Sequence, residues 1–248
     1  MENIVFSFLV TTLAGFSTLL GIIPCYLNKT RESVISKSLA FSAGVMLMIS
    51  LSSLIPESVS LLSFKYSYIF IFIIVFIFVV LGILFSSFID QKIEERFTSN
   101  KLYKLGLISI IALCLHNIPE GITTFISTSS NVRLGITLSI AIALHNIPEG
   151  ISIAVPIYFA TGSHKRSFWY TLLSGFSELL GAVLAYLFIA RYVNNFVLSL
   201  ILGITAGIMI HISVYELLPN SLAYKKRKDT ILSFLLGVLV MFICEALL

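Results

Sequence analysis

An all-α integral membrane protein with eight transmembrane helices is the fold class this sequence predicts, and three observations carry the prediction. Hydrophobic residues fill 58% of the 248 positions and charged residues only 11%, against roughly 25% charged in a soluble domain; a soluble fold is excluded. Apolar stretches recur at about residues 3–26, 38–61, 66–89, 105–128, 133–158, 168–190, 196–219 and 230–247. Each is near the ~20 residues that a spanning helix takes. The third observation is that the basic residues crowd into alternate connections.

Taken in order, the first span turns apolar directly after Met1, Glu2 and Asn3. With no basic segment ahead of it, it is expected to remain as a membrane helix rather than be cleaved as a signal peptide. Lys29, Arg31 and Lys37 follow the first span, and only Lys65 follows the second. Lys92, Arg96, Lys101 and Lys104 come after the third span and Arg133 alone after the fourth. Lys165 and Arg166 come next, then Arg191 alone, then Lys225, Lys226, Arg227 and Lys228. Thirteen of the sixteen basic residues thus share one side, which the positive-inside bias assigns to the cytoplasm, with both termini extracytoplasmic.

A multi-pass protein of the cell membrane follows, bathed in membrane lipid. A basic cluster such as 225–228 would by itself suit acidic lipid or nucleic acid. Topology explains all four clusters together, so nucleic acid is not a partner. Cys25, Cys114 and Cys244 are odd in number, far apart and set in apolar runs; they form neither a disulfide framework nor a thiolate site and read as small packing residues.

The chain repeats itself. Residues 12–27 match 172–187 at an offset of 160 with nine of sixteen identical, and 39–58 match 202–221 at an offset of 163 with nine of twenty identical. Ala43/Ala206, Gly44/Gly207 and Pro56/Pro219 are among the matches, and shared hydrophobicity does not account for matched glycines and prolines. Five crossings separate each pair, so the related helices run in opposite directions and the repeat is inverted. That is a signature of secondary transporters, whose site lies near the midplane at the repeat interface. The expected arrangement is 3+2+3 within one transporter domain, with repeat 1 at about 1–90, a central pair at about 104–159 and repeat 2 at about 167–248. The fourth and fifth helices should lie nearest the pseudo-two-fold axis.

Those two central helices carry one hexapeptide twice, His116-Asn117-Ile118-Pro119-Glu120-Gly121 and His145-Asn146-Ile147-Pro148-Glu149-Gly150, each about midway along its span. Positions i and i+4 share a helix face, so His116 stacks with Glu120 and His145 with Glu149. The asparagines flank each glutamate at i+3. Pro119 and Pro148 free the carbonyls of Leu115 and Leu144 and bend their helices. Glu178 adds a third carboxylate from the sixth span, where the repeat counterpart is Thr18.

Each ionised residue at a helix centre costs about 2.5 to 3.5 kcal/mol, so three glutamates need an offset of roughly 8 to 10 kcal/mol. A divalent metal on two His, two Asn and three Glu supplies it. Protonation in a proton relay and a structural polar network are the other readings. Imidazole and carboxylate without thiolate suit Zn²⁺, Fe²⁺, Mn²⁺ or Co²⁺ better than Cu⁺; Cd²⁺ stands as a further candidate cargo. A membrane di-metal oxidoreductase would typically use Glu-x-x-His pairs, whereas the order here is His then Glu at i+4. Neither H-E-x-x-H, G-x-S-x-G nor a Walker A string occurs, so the chain is not expected to be an enzyme or to draw on ATP directly.

With these motifs in hand, the sequence resembles the zinc–iron permease (ZIP) family of divalent-metal transporters, most of all its short bacterial members. The resemblance rests on eight spans, the paired HNIPEG, SGFSELLG on the sixth span, and AGVM and AGIM on the second and seventh. It implies a binuclear metal site with one ion on His116, Glu120, His145 and Glu149. A second would use Asn117, Asn146 and Glu178, with Glu120 and Glu149 bridging. It further implies transport of Zn²⁺ toward the cytoplasm by a bundle of helices one, four, five and six sliding against the other four. A homodimer is compatible with it.

Two departures stand out. Residues 90–104 contain no histidine where many members carry a histidine-rich loop, and Asn220 follows Pro219 where many have a second acid. His211 reads as a packing residue or, with Glu216, as a cytoplasmic-side relay. His164 reads as ordinary surface. Glu57 either draws cations or is a helix-end charge facing water.

Overall fold

The computed structural model describes residues 2–27, 29–63, 66–96, 100–189 and 194–247; Lys65 and Arg191 lie outside them. Among the described residues every regular element is helical. Eight helices are long and apolar enough to span a membrane: α1 (Asn3–Tyr26), α2 (Arg31–Ser63), α3 (Tyr68–Ile93), α4 (Lys101–Ser130), α5 (Gly135–Thr161), α6 (His164–Leu187), α7 (Asn195–Leu222) and α8 (Arg227–Leu247). Asn100, Ser163 and Asn194 cap α4, α6 and α7 by accepting from backbone N–H groups of the first turn, which satisfies donors that a helix start leaves open.

Four helices change their winding, α6 in a π stretch over Ala185–Ile189 and three others where the sequence dictates. Over Ser17–Tyr26 α1 tightens into a 3₁₀ stretch. There the Ser17 and Thr18 hydroxyls donate to carbonyls three residues back, at 2.6 Å each, and Pro24 removes an N–H. Helices α2 and α7 loosen into π stretches over Ser50–Leu54 and Ile212–Leu217. Each lies just ahead of a matched proline, Pro56 or Pro219, whose missing N–H leaves the carbonyl four residues back without its helical partner. Pro119 and Pro148, by contrast, end neither helix, because α4 and α5 run on as α-helix past them.

α4 and α5 are the most buried of the eight, while α3 and α8 sit at the periphery. Close packing falls in matched pairs: α4 lies along α6 and α1 along α5, and α2 lies along α8 and α3 along α7. Glycine makes these approaches possible. A Cβ on Gly121 would strike the Glu178 carbonyl, and one on Gly150 the Thr18 carbonyl; Glu178 and Thr18 are the residues that the 160 offset equates.

Serines pin α2 to α7 at both ends. Ser58 and Ser199 donate to each other's carbonyls at 2.8 Å, and at the opposite end Ser221 donates to the Ser36 carbonyl at 2.7 Å. These pairs too are related by the 163 offset.

Candidate metal centre

The hexapeptides face each other across the α4–α5 contact, and all seven predicted side chains are buried. Two imidazoles share one carboxylate oxygen, with His116 Nε2 3.1 Å and His145 Nε2 2.9 Å from Glu120 Oε1. His116 Nε2 also lies 3.0 Å from Glu149 Oε1, and neither of its two carboxylate contacts has hydrogen-bond alignment, whereas that of His145 does. Lone pairs converge there on a common point. Donor atoms of His116, His145 and Glu149 all lie within 4.8 Å of one another, close enough for one cation to touch all three.

The asparagines and Glu178 form the adjoining part. Asn146 donates to Glu178 Oε2 at 2.8 Å and to the Ala14 carbonyl at 2.9 Å. Asn117 donates to the Ser174 carbonyl at 3.0 Å. With each amide N–H₂ spent in this way, both Oδ1 atoms are left buried with no donor, and Glu178 Oε1 is likewise unpartnered. Of thirteen buried side-chain N and O atoms without a hydrogen-bond partner among the described residues, nine belong to these seven side chains. Native proteins leave few such groups, so their concentration on adjoining helices singles this cluster out as the candidate centre.

A cavity of about 530 Å³ reaches this cluster from one end of the bundle, the end opposite the basic connections. Glu120 and His145 form its floor, Thr123 and Ser127 continue the α4 face above them, and Glu57 and Glu245 stand among its lining residues. Ser52 and Ser53 both donate to Glu245 Oε1, the former at 2.7 Å. The sequence reading passed over Glu245, although an acid in the run MFICEALL is the kind of intramembrane charge that signals function. It also missed Thr123 and Ser127, whose spacing of three and seven from Glu120 places them on its face.

The chain also matches known proteins. The model of the ZIP Zinc transporter family matches residues 100–245, a stretch that includes both hexapeptides and Glu178. Zinc transporter ZupT of Streptococcus mutans is 38% identical over 97% of this chain and 96% of its own length. ZupT of Chlorobium luteolum is 38% identical over the full length of both, and that of Clostridium perfringens is 34% identical over 97% and 95%. This chain belongs to the ZIP family. As a ZIP protein it is a multi-pass divalent-metal transporter of the bacterial cell membrane and not an enzyme, which removes the oxidoreductase reading.

Around this candidate centre of a ZIP protein the secondary residues sort themselves. His211 packs as a satisfied residue, with Nδ1 3.0 Å from Ser86 Oγ and its ring stacked on Tyr215. Glu216 is buried. Cys25 is buried, Cys114 and Cys244 are half-buried, and all three are free, as packing residues should be. His164 is a correction. Rather than lying on open surface, its ring stacks between Tyr26 and Tyr158 at 4.3 Å from each, because the connection between α5 and α6 is short enough to fold it back against the ends of α1 and α5. Glu57 is exposed, yet it lines the cavity rather than simply ending a helix.

Proposed function

We propose that this protein carries Zn²⁺ into the cytoplasm, binding it at mid-membrane depth on His116, Glu120, His145 and Glu149. A second ion would sit on Asn117, Asn146 and Glu178, bridged to the first by Glu120 and Glu149. The observation that carries this reading is the gathering of nine unpartnered buried donor atoms on three adjoining helices. Zinc is favoured because the relatives carry the name zinc transporter. Fe²⁺, Mn²⁺, Co²⁺ and Cd²⁺ accept the same ligands and stand as competing cargo.

Orientation belongs to the same proposal. With the basic connections inside and the termini outside, the cavity faces outward. Glu57 and Glu245 then draw cations in, and the hydroxyls of Ser127 and Thr123 replace hydration water on the way to Glu120. The inverted 3+2+3 arrangement is supported by the matched glycine and serine contacts. A moving body of α1, α4, α5 and α6 against a frame of α2, α3, α7 and α8 is supported by the pairs of helices that pack most closely. The test is radioactive zinc uptake into liposomes with competing ions and an imposed pH gradient. Failure of any divalent metal to enter would reject the reading.

Two further results are expected. Glu178→Ala should remove the second ion and leave the first, so equilibrium binding should fall from two zinc ions per chain to one; retention of two places the second ion elsewhere. Binding should also weaken as pH falls below about 6, because protons and metal compete for the same lone pairs and an ordinary imidazole takes up its proton near pH 6.5. With two imidazoles engaged, each further pH unit costs up to about 100-fold in affinity. Zinc titrations from pH 7.5 to 4.5 check this, and a flat profile argues against imidazole ligation.

A further inference from the structure

One hydrogen bond joins the presumed frame to the moving body beside the metal centre. Ser42 of α2, wholly buried, donates to the Pro148 carbonyl of α5 at 2.6 Å. Most hydroxyls in these helices donate back along their own helix, as Ser50 does to Met46 at 2.7 Å; Ser42 reaches across instead. It meets α5 between the ligand-bearing Asn146 and Glu149.

The same position in the other repeat is different. The 163 offset that equates Gly44 with Gly207 equates Ser42 with Thr205, and the hexapeptides equate Pro148 with Pro119. Thr205 is buried, yet its hydroxyl has no hydrogen-bond partner among the described residues. The Pro119 carbonyl is taken by Thr123 of its own helix at 3.0 Å. Correspondingly, α2 packs along more of α5 than α7 does along α4. The cavity occupies the difference. Leu202, one turn before Thr205 on α7, lines it, and so does Thr123 on α4. A closure of the cavity that drew α7 onto α4 would bring Thr205 toward Pro119.

We propose that Ser42 and Thr205 are alternating positioning residues: Ser42 holds the Pro148 carbonyl while the outer cavity is open, and Thr205 takes the Pro119 carbonyl when it closes. Each hydroxyl stabilises one of two arrangements that the repeat makes near mirror copies in energy, so neither arrangement is a trap. A hydroxyl held by both carbonyls at once would lock the bundle, and one held by neither would leave a buried donor unmet in both states. Only a differential contact shifts such an equilibrium, and each of these contacts exists in one state alone. The idea rests on the transport reading.

The test is accessibility of the outer cavity. In a variant with Cys25, Cys114 and Cys244 replaced by alanine, Leu138→Cys on the cavity wall reports opening through its rate of reaction with a membrane-impermeant maleimide. Ser42→Ala should lower that rate about three-fold, because one hydrogen bond of ordinary net strength shifts the open-to-closed ratio about five-fold and two arrangements of equal energy start about half open. Thr205→Val, which keeps the shape and loses the hydroxyl, should raise the rate when added to Ser42→Ala. Ser42→Thr should restore the parent rate. A structural role alone would slow or speed labelling in both variants alike. The proposal fails if Thr205→Val lowers labelling further, if Ser42→Ala leaves it unchanged, or if Ser42→Thr behaves like alanine while eluting as folded protein. Labelling is read without added metal, so its outcome is separate from that of any uptake assay.

Discussion

Alanine at Glu149 is expected to abolish zinc uptake while the protein still folds, and alanine at Glu120 is expected to do the same. Glu149 offers two buried oxygens with no donor, and Glu120 Oε1 is shared by two imidazoles. Stripping one partner from a buried charged set costs about 3 to 5 kcal/mol, which is a factor of hundreds or more in affinity, and here the loss falls on the cargo. In the metal-free protein Glu149 holds no hydrogen bond, so Glu149→Ala should leave thermal stability nearly unchanged, whereas Glu120→Ala also strips His145 of its 2.9 Å partner and should lower it. The Glu149 variant is therefore diagnostic: uptake falls while thermal stability in detergent does not. Glutamine at either position keeps an oxygen and loses the charge, so it should retain weak binding. Radioactive zinc uptake together with a thermal melt decides the matter, and parent-level flux in either alanine variant would remove the assignment.

Gly150→Val is expected to be nearly as severe by another route. A Cβ at this position meets the Thr18 carbonyl, which is backbone and has little room to yield. Overpacking of this kind typically costs about 1 to 3 kcal/mol, and valine adds two more methyl groups to the collision. The 3₁₀ stretch of α1 must move off α5, carrying with it the Ala14 carbonyl that holds Asn146. The expected result is a thermal midpoint lowered by roughly 5 °C and loss of zinc binding. Gly121→Val should act similarly through the Glu178 carbonyl. An unchanged melt and unchanged binding would mean that these crossings are looser than described.

The eight spans were legible because a chain with so few charges leaves little choice, yet their ends were not. The fourth span, read from hydropathy at 105–128, extends as helix from Lys101 to Ser130. Its charged first turn continues past the hydrocarbon, where Lys104 pairs with Asp90 at 3.0 Å, and hydropathy cannot register a helix in water. The side chains of the candidate centre were legible for the converse reason, since His, Asn and Glu repeated at one register inside apolar runs have no cheap alternative use. What escaped were contacts between distant segments. Ser42, Ser174 and the Ala14 carbonyl hold or steer the centre, but serine is common in these helices and usually bonds within its own. Nothing in the linear order marks which one turns outward. His164 was misjudged likewise, its stacking partners lying on α1 and α5.

The serine pairs that tie α2 to α7 have a consequence for tightness. With Ser58 and Ser199 exchanging bonds at one extremity and Ser36 and Ser221 joined at the other, those four hydroxyls are spent within the protein rather than left for a passing water molecule. Protons hop along files of water, and a seam that stays dry while its neighbours shift would keep the membrane from leaking charge each time an ion is delivered.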